Sequence, residues 1–247
     1  LSQVSPADLG AVVINALLER NNLDPALIED VIFGCVSQIG PQTFNVARTA
    51  VLASNLPIEV PGVTVDRQCG SGQQAIHFAA QAVMSGNQDM IIAGGVENMS
   101  MTPIGSPLLV ASKAGMRTPF DGEAISSRYP GVEFSQFVGA ERMAEKYAVS
   151  RDDLDHFAYQ SHVKGAAAYD DNRFDREIIP MTVEVEGQKV VHDVDEGLRR
   201  NATLEAIQGL EPLQEGGLIT AGSASQICDG SAATLIVSER ALKQYGL

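Results

Sequence analysis

Three short apolar runs, "VIFGCVS" (31–37), "GVTVD" (62–66) and "DMIIAGG" (89–95), alternate with stretches of helical periodicity. Each run has strand length and is bounded by turn residues, so the alternation calls for a parallel, doubly wound α/β sheet. Leu9, Val12, Val13, Ala16 and Leu17 recur at helical spacing, which predicts a helix over 6–20. Ser5 suits its N-cap, Pro6 its first position and Asp8 the acid of a capping box. A short helix is expected over 45–54 and a longer one over 70–85. The longer one is apolar almost all round, which predicts burial at the centre of the molecule.

Near residue 100 the chain changes character. Residues 100–134 are rich in Gly, Pro, Ser and Met with little periodicity. Helices are expected over 136–147 and, after the "SRDD" capping box at Ser150, to about 170. "MTVEVEGQKVV" (181–191) alternates like a hairpin, and 192–217 reads as irregular apart from a short helix near 203–209. Residues 231–246 restore a strand and a helix. The expected organisation is a sheet domain of 1–99 and 228–247, interrupted by an insertion at 100–227.

Acidic residues outnumber basic ones 31 to 17, for a formal charge of −14. This balance argues against a nucleic-acid partner, which needs clustered Lys and Arg. It leaves room for a small phosphorylated ligand that needs one or two local cations. The three cysteines, Cys35, Cys69 and Cys228, are an odd set suited to a reducing compartment, and secretion is not expected. Bacterial cytoplasm or an organelle matrix is the expected location. No apolar run reaches the length of a membrane span. His77, His156, His162 and His192 lack metal-ligand spacing, so no metal site is expected. Cys35, inside an apolar run, reads as a small core hydrophobe.

Cys69 raises the chemical question. In "VDRQCGSGQQAI" a strand stops, a cysteine follows, and Gly70, Ser71 and Gly72 open a helix. One reading is a nucleophile. A thiol at a helix N-terminus gains from the dipole, small neighbours admit a bulky substrate, and free N–H groups suit an oxyanion. A second is a dinucleotide loop: Gly70, Gly72 and Ala75 fit G-x-G-x-x-A, and Glu97 stands where a ribose-binding acid would be. A third is an inert cysteine filling a tight turn. A cysteine-phosphatase loop is ruled out, because it needs an arginine where Ala75 stands.

Three stretches in order, "VDRQCGSGQQAI", "AGGVENMSMTP" and "LITAGSASQICDGSAATLIVSERA", resemble the thiolases, and the resemblance covers essentially the whole chain. It implies the N-terminal half of a thiolase-like α/β fold: a layered mixed sheet with buried helices plus a long α+β loop domain that binds coenzyme A. It implies an acyl-CoA C-acyltransferase that makes or thiolytically cleaves 3-ketoacyl-CoA, nearest to the degradative branch. Cys69 would then carry the acyl group, with coenzyme A and acyl-CoA as substrates and no resident cofactor. Arg199 would sit near the adenine and ribose phosphate, with Arg200 adding a second charge. Ala221 and Ser225 would line the pantetheine arm, and Leu210 would be an apolar coenzyme contact. Phe137 and Val138 stand where acetoacetyl-specific members carry His-Met, which implies a more apolar acyl pocket.

The family's "GHP", "CxGGG" and "NEAF" motifs and its first strand with "RTP" do not occur in this sequence. The resemblance therefore implies one half of a two-half fold, trimmed at both ends, in which a matching helix would cover 70–85. A homodimer or homotetramer is the implied assembly. A catalytically incomplete coenzyme A-binding fragment, the dinucleotide-binding oxidoreductase domain and a related ketosynthase stay open as alternatives. Cys228 stands where the family usually has Asn before Asp-Gly, and that change has no physical account here.

Overall fold

The computed structural model describes residues 1–247. Helix α1 (Pro6–Arg20) begins as its sequence dictates: the Ser5 side chain accepts the Asp8 N–H and Pro6 takes the first turn. Strand β1 (Asp30–Gly34), helix α2 (Val46–Ala53), strand β2 (Gly62–Val65), helix α3 (Ser71–Met84) and strand β3 (Met90–Asn98) follow. Helices α4 (Ser106–Lys113), α5 (Glu123–Arg128), α6 (Gln136–Lys146) and α7 (Arg151–Asp170) come next, then the hairpin β4 (Met181–Val185) and β5 (Gln188–His192). Helix α8 (Leu204–Gln208), strand β6 (Asp229–Val237) and helix α9 (Glu239–Tyr245) complete the chain.

The residues group into two compact units. The first comprises 1–116, 179–192 and 228–247; the second comprises 117–178 and 193–227. The hairpin β4–β5 and residues 100–116 thus group with the sheet rather than with the insertion drawn from sequence at 100–227.

The first unit is built on a four-stranded sheet of order β2-β1-β3-β6. β1 runs parallel to both neighbours, with Gly34 opposite Val65 on one side and Gly95 on the other. β6 is antiparallel to β3, from Met90↔Val237 to Asn98↔Asp229. The sheet is therefore mixed rather than wholly parallel: β6 enters from the carboxyl edge of β3 and needs no crossover helix.

Alternation along the strands makes two cores, one on each face. Val31 and Phe33 of β1 and Ile92 of β3 join Leu9, Ile14 and Leu18 of α1 and the buried residues of α2. Ile32, Ile91 and Ala93 face the other way and meet Ala75 and Ala79 of α3. Burial of a side chain such as Ile14 contributes about 1.5–3 kcal/mol, so α1 is anchored chiefly by this stripe.

Two expectations need correction. α3 is not buried all round: only Ser71, Ala75 and Ala79 are buried, while Phe78 and Met84 are exposed. The sheet covers one stripe of this helix and leaves the opposite stripe open. Residues 100–134, expected to be irregular, contain α4 and α5. Neither helix buries a residue, so neither leaves an apolar period in the sequence.

In the second unit, Ser150 caps α7 in a reciprocal box with Asp153, as the sequence indicates. Buried residues here are fewer: Ala144, Asp155, Ala158, Ile207, Ile219 and Thr220. Polar links therefore carry more of the definition of this unit. No helix of the structure is long and apolar enough to cross a membrane.

Candidate active site

Cys69 lies on the turn from β2 into α3, at the carboxyl edge of the parallel strands, where open α/β sheets place their ligands. Short-range contacts fix this turn. Asp66 Oδ1 accepts the Gln68 N–H at 2.7 Å. The Ser71 hydroxyl donates to the Gln68 carbonyl at 2.5 Å and accepts the Arg67 N–H at 2.9 Å. Gln68 is held in the left-handed region at φ 49°, a conformation that costs a non-glycine residue on the order of 1 kcal/mol. The bend leaves Cys69 exposed. Gly70, the N-cap of α3, offers no side-chain acceptor to the first turn, while the Gly70 and Ser71 N–H groups bond the Arg67 and Gln68 carbonyls at 3.1 and 3.0 Å.

The turn is seated on bare backbone. A Cβ at Gly34 would lie 2.4 Å from the Ser71 carbonyl carbon and 2.5 Å from the Gly72 nitrogen. Only a glycine in β1 lets the first turn of α3 come this close.

The other chemically interesting residues of the first unit are structural. The Glu97 carboxylate accepts the Val36 N–H at 2.7 Å, the Ser37 N–H at 3.2 Å and the Gln42 amide at 2.8 Å. Gln42 in turn accepts the Asn98 N–H at 2.7 Å, and both residues are wholly buried. Glu97 is thus a strut between β1 and β3, its oxygens committed to these donors rather than turned to a ribose. Cys35 is buried, as its apolar run indicates, and its thiol is pushed up to about 12 by burial and the nearby Glu97 charge. It stays an uncharged thiol. Cys228 is exposed.

The second unit brings six of the singled-out residues into one network. Phe137 and Val138 lie on the first turn of α6, with Phe137 39% exposed. Leu210 follows α8 and is 37% exposed. Gly222 abuts it: a Cβ there would lie 2.9 Å from Leu210 Cδ1 and 3.2 Å from Ile207 Cγ2. This contact joins the loop of Ala221 and Ser225, both exposed, to the end of α8. Next to Ser225, Gln226 donates to the Gly197 carbonyl at 2.7 Å, which ties that loop to the segment of Arg199. The Arg199 N–H meets His162 Nδ1 on α7 at 3.2 Å.

Arg199 takes part in no ion pair. Arg200, expected to add a second charge, is tied to α7. It pairs with Asp170 at 2.7 Å and lies over the Tyr169 ring.

Two further side chains organise this network, and sequence reasoning missed both. Arg151 binds Asp155, which is buried, through Nε at 2.8 Å. Its Nη2 reaches the carbonyls of Gln208 and Leu210 at 3.2 and 2.8 Å. The i,i+4 spacing of Arg151 and Asp155 was visible; the carbonyls, 57 and 59 residues away, were not. Glu141 of α6 accepts the Leu218 N–H at 3.0 Å with each oxygen and the Ile219 N–H at 2.9 Å. No sequence signal marks it.

Comparison with known proteins agrees with the motifs. The family model described as "Thiolase, N-terminal domain" matches residues 1–240. A steroid 3-ketoacyl-CoA thiolase FadA6 of Mycobacterium tuberculosis is 49% identical over 248 residues, covering 100% of this chain and 60% of that protein. A beta-ketoadipyl-CoA thiolase of Acinetobacter baylyi is 40% identical, over 100% of this chain and 64% of its own length. A probable acetyl-CoA acyltransferase of Staphylococcus aureus is 37% identical, over 97% and 62% respectively. The chain thus spans about three fifths of the length of these relatives. With an α/β mixed sheet and a matched span running through nearly every residue, the chain belongs to the thiolase family.

Proposed function

We propose that the protein is an acyl-CoA C-acyltransferase that cleaves or forms 3-ketoacyl-CoA through an acyl-Cys69 intermediate. The observation that carries the reading is Cys69 itself: an exposed thiol on a turn locked by Ser71, beside the uncapped start of α3. In the degradative direction the Cys69 thiolate attacks the 3-keto carbon. The bond between C2 and C3 breaks, the enolate of acetyl-CoA takes a proton and leaves, and the shortened acyl group stays on sulfur as a thioester. A second coenzyme A thiol attacks that thioester, releases the shortened acyl-CoA and returns the thiolate. Such kinetics are ping-pong. The Cys69 N–H is the donor assigned to one of the oxyanions, since those of Gly70 and Ser71 bond the Arg67 and Gln68 carbonyls.

In this reading the second unit holds coenzyme A, a substrate rather than a resident cofactor. Arg199, free of ion pairs, faces the phosphates. Leu210, Ala221 and Ser225 line the pantetheine arm, and Phe137 with Val138 form an apolar wall for the acyl chain. The preferred substrates are then bulky or long 3-ketoacyl thioesters, in keeping with the name of the mycobacterial relative. Phe137→His should move the preference toward four-carbon substrates; an unmoved preference removes this part. The exposed stripe of α3 is the face expected to take the matching helix, and a homodimer or homotetramer is proposed from the family alone.

Brief incubation with acetyl-CoA, followed by intact-mass and peptide mapping, tests the central claim. One acetyl group on the peptide of Cys69 is the expected result. An unmodified Cys69 in protein that still binds coenzyme A would leave a binding module, and binding of a nicotinamide dinucleotide instead would restore the oxidoreductase reading.

A further inference from the structure

We infer that Glu141 is a positioning residue for coenzyme A: it fixes the loop of Ala221 and Ser225 against the helix of Phe137 and Val138. The inference rests on the assignment of coenzyme A to the second unit. Glu141 stands one helical turn after Phe137 on α6, so the two share a helix face. Its carboxylate receives the N–H groups of Leu218 and Ile219, the two residues that lead into the loop. These are hydrogen bonds to a charged acceptor, stronger than neutral ones.

The loop they hold is stiff. Thr220 is wholly buried, its N–H goes to the Ser223 hydroxyl at 3.0 Å, and its carbonyl accepts the N–H groups of Ser223 and Ala224 at 3.1 and 2.9 Å. A shift at 218–219 therefore carries Ala221 and Ser225 with it rather than being absorbed. The far side of the same loop rests, through Gly222, on Ile207 and Leu210, which Arg151 pins to α7. Arg151 fixes one wall and Glu141 sets the distance from it to the acyl-side helix. Gly217 leaves the room this needs: a Cβ there would lie 2.5 Å from Glu141 Oε1.

The geometry supplies two independent perturbations. Glu141→Gln removes the charge and one acceptor oxygen. Gly217→Ala keeps both and pushes the carboxylate aside with a methyl group. Coenzyme A is titrated calorimetrically into the full protein, into each variant and into the double variant, with the rate of Cys69 alkylation by iodoacetamide read in parallel. Each single variant should bind coenzyme A about tenfold more weakly, with Cys69 alkylated within about twofold of the parent rate. The double variant should be no weaker than the worse single one, because both break the same link. Parent-like affinity in both single variants, or additive losses in the double, overturns the inference. Parent protein that binds coenzyme A without acylating Cys69 removes the acyltransferase reading and leaves Glu141 in its role. Parent protein that does not bind coenzyme A removes both.

Discussion

Gly34→Ala is the sharpest probe of how the Cys69 turn is held. The new methyl carbon would sit 2.4 Å from the Ser71 carbonyl carbon and 2.5 Å from the Gly72 nitrogen. Both are backbone atoms, so no side-chain rotation relieves the clash. Ordinary contact requires the first turn of α3 to retreat by about 1 Å, and the Ser71 hydroxyl, which locks Arg67 and Gln68, must retreat with it. Overpacking of this kind costs about 1–3 kcal/mol. If Cys69 carries the acyl group as proposed, displacing it by that distance costs on the order of 100-fold in rate. The assay pairs thermal melting with kcat/KM for thiolysis of a 3-ketoacyl-CoA. A drop of about 100-fold in kcat/KM with a loss of 1–3 kcal/mol is expected. Gly72→Ala supplies the contrast: the nearest atom to its Cβ is the Gly94 carbonyl oxygen at 4.0 Å, so stability should hold or rise by about 0.5 kcal/mol. Parent-like stability and turnover in Gly34→Ala would refute the argument that bare β1 backbone sets the position of the turn.

Further outcomes follow from the electrostatics. Iodoacetamide at pH 8 should modify Cys69 and spare Cys35, whose thiol is buried and pushed up to about 12; peptide mapping that finds Cys35 labelled in folded protein contradicts its placement. Asp89 is held below its ordinary value of 3.8 by hydrogen bonds from Arg240 and Ser238. A depressed carboxylate stabilises the fold above its unfolded pKa, and that contribution is lost as pH falls through the folded value. Asp89→Asn should therefore melt below the parent at neutral pH, with the gap closing below about pH 3.8 in the acid limb. A gap that stays constant with pH argues against that role.

The helices with caps and a buried stripe were legible almost to the residue. Ser5 and Ser150 announce α1 and α7 because an N-cap is a local device. Strand identities were legible and strand ends were not. β1 stops at Gly34, where the chain turns off to give Val36 and Ser37 N–H groups to Glu97, though the apolar run continues. β3 runs on to Asn98 because β6 pairs with it that far. The turn that carries Cys69 could be placed from strand, cysteine and small residues in sequence. Its lock could not, since nothing in "CGSGQ" says that the Ser71 hydroxyl reaches back to Gln68. Glu141 was hidden for a plainer reason: its partners lie 77 and 78 residues away.

The antiparallel return of β6 bears on the order in which the molecule folds. Ser100 donates to Asp229 across 129 residues, and the nine-residue ladder between β3 and β6 begins beside that bond. Loop closure over such a length adds little to the equilibrium cost, about 0.6 kcal/mol for each doubling. In time it costs more, because contacts so remote in sequence form late. On a ribosome, β1, β2 and β3 emerge long before β6, and until then the apolar "MIIAGG" edge of β3 has no partner. That waiting edge is a site for a chaperone to hold or for aggregation to begin. Charged substitutions along β6 should lower soluble yield more than equally destabilising changes in α1.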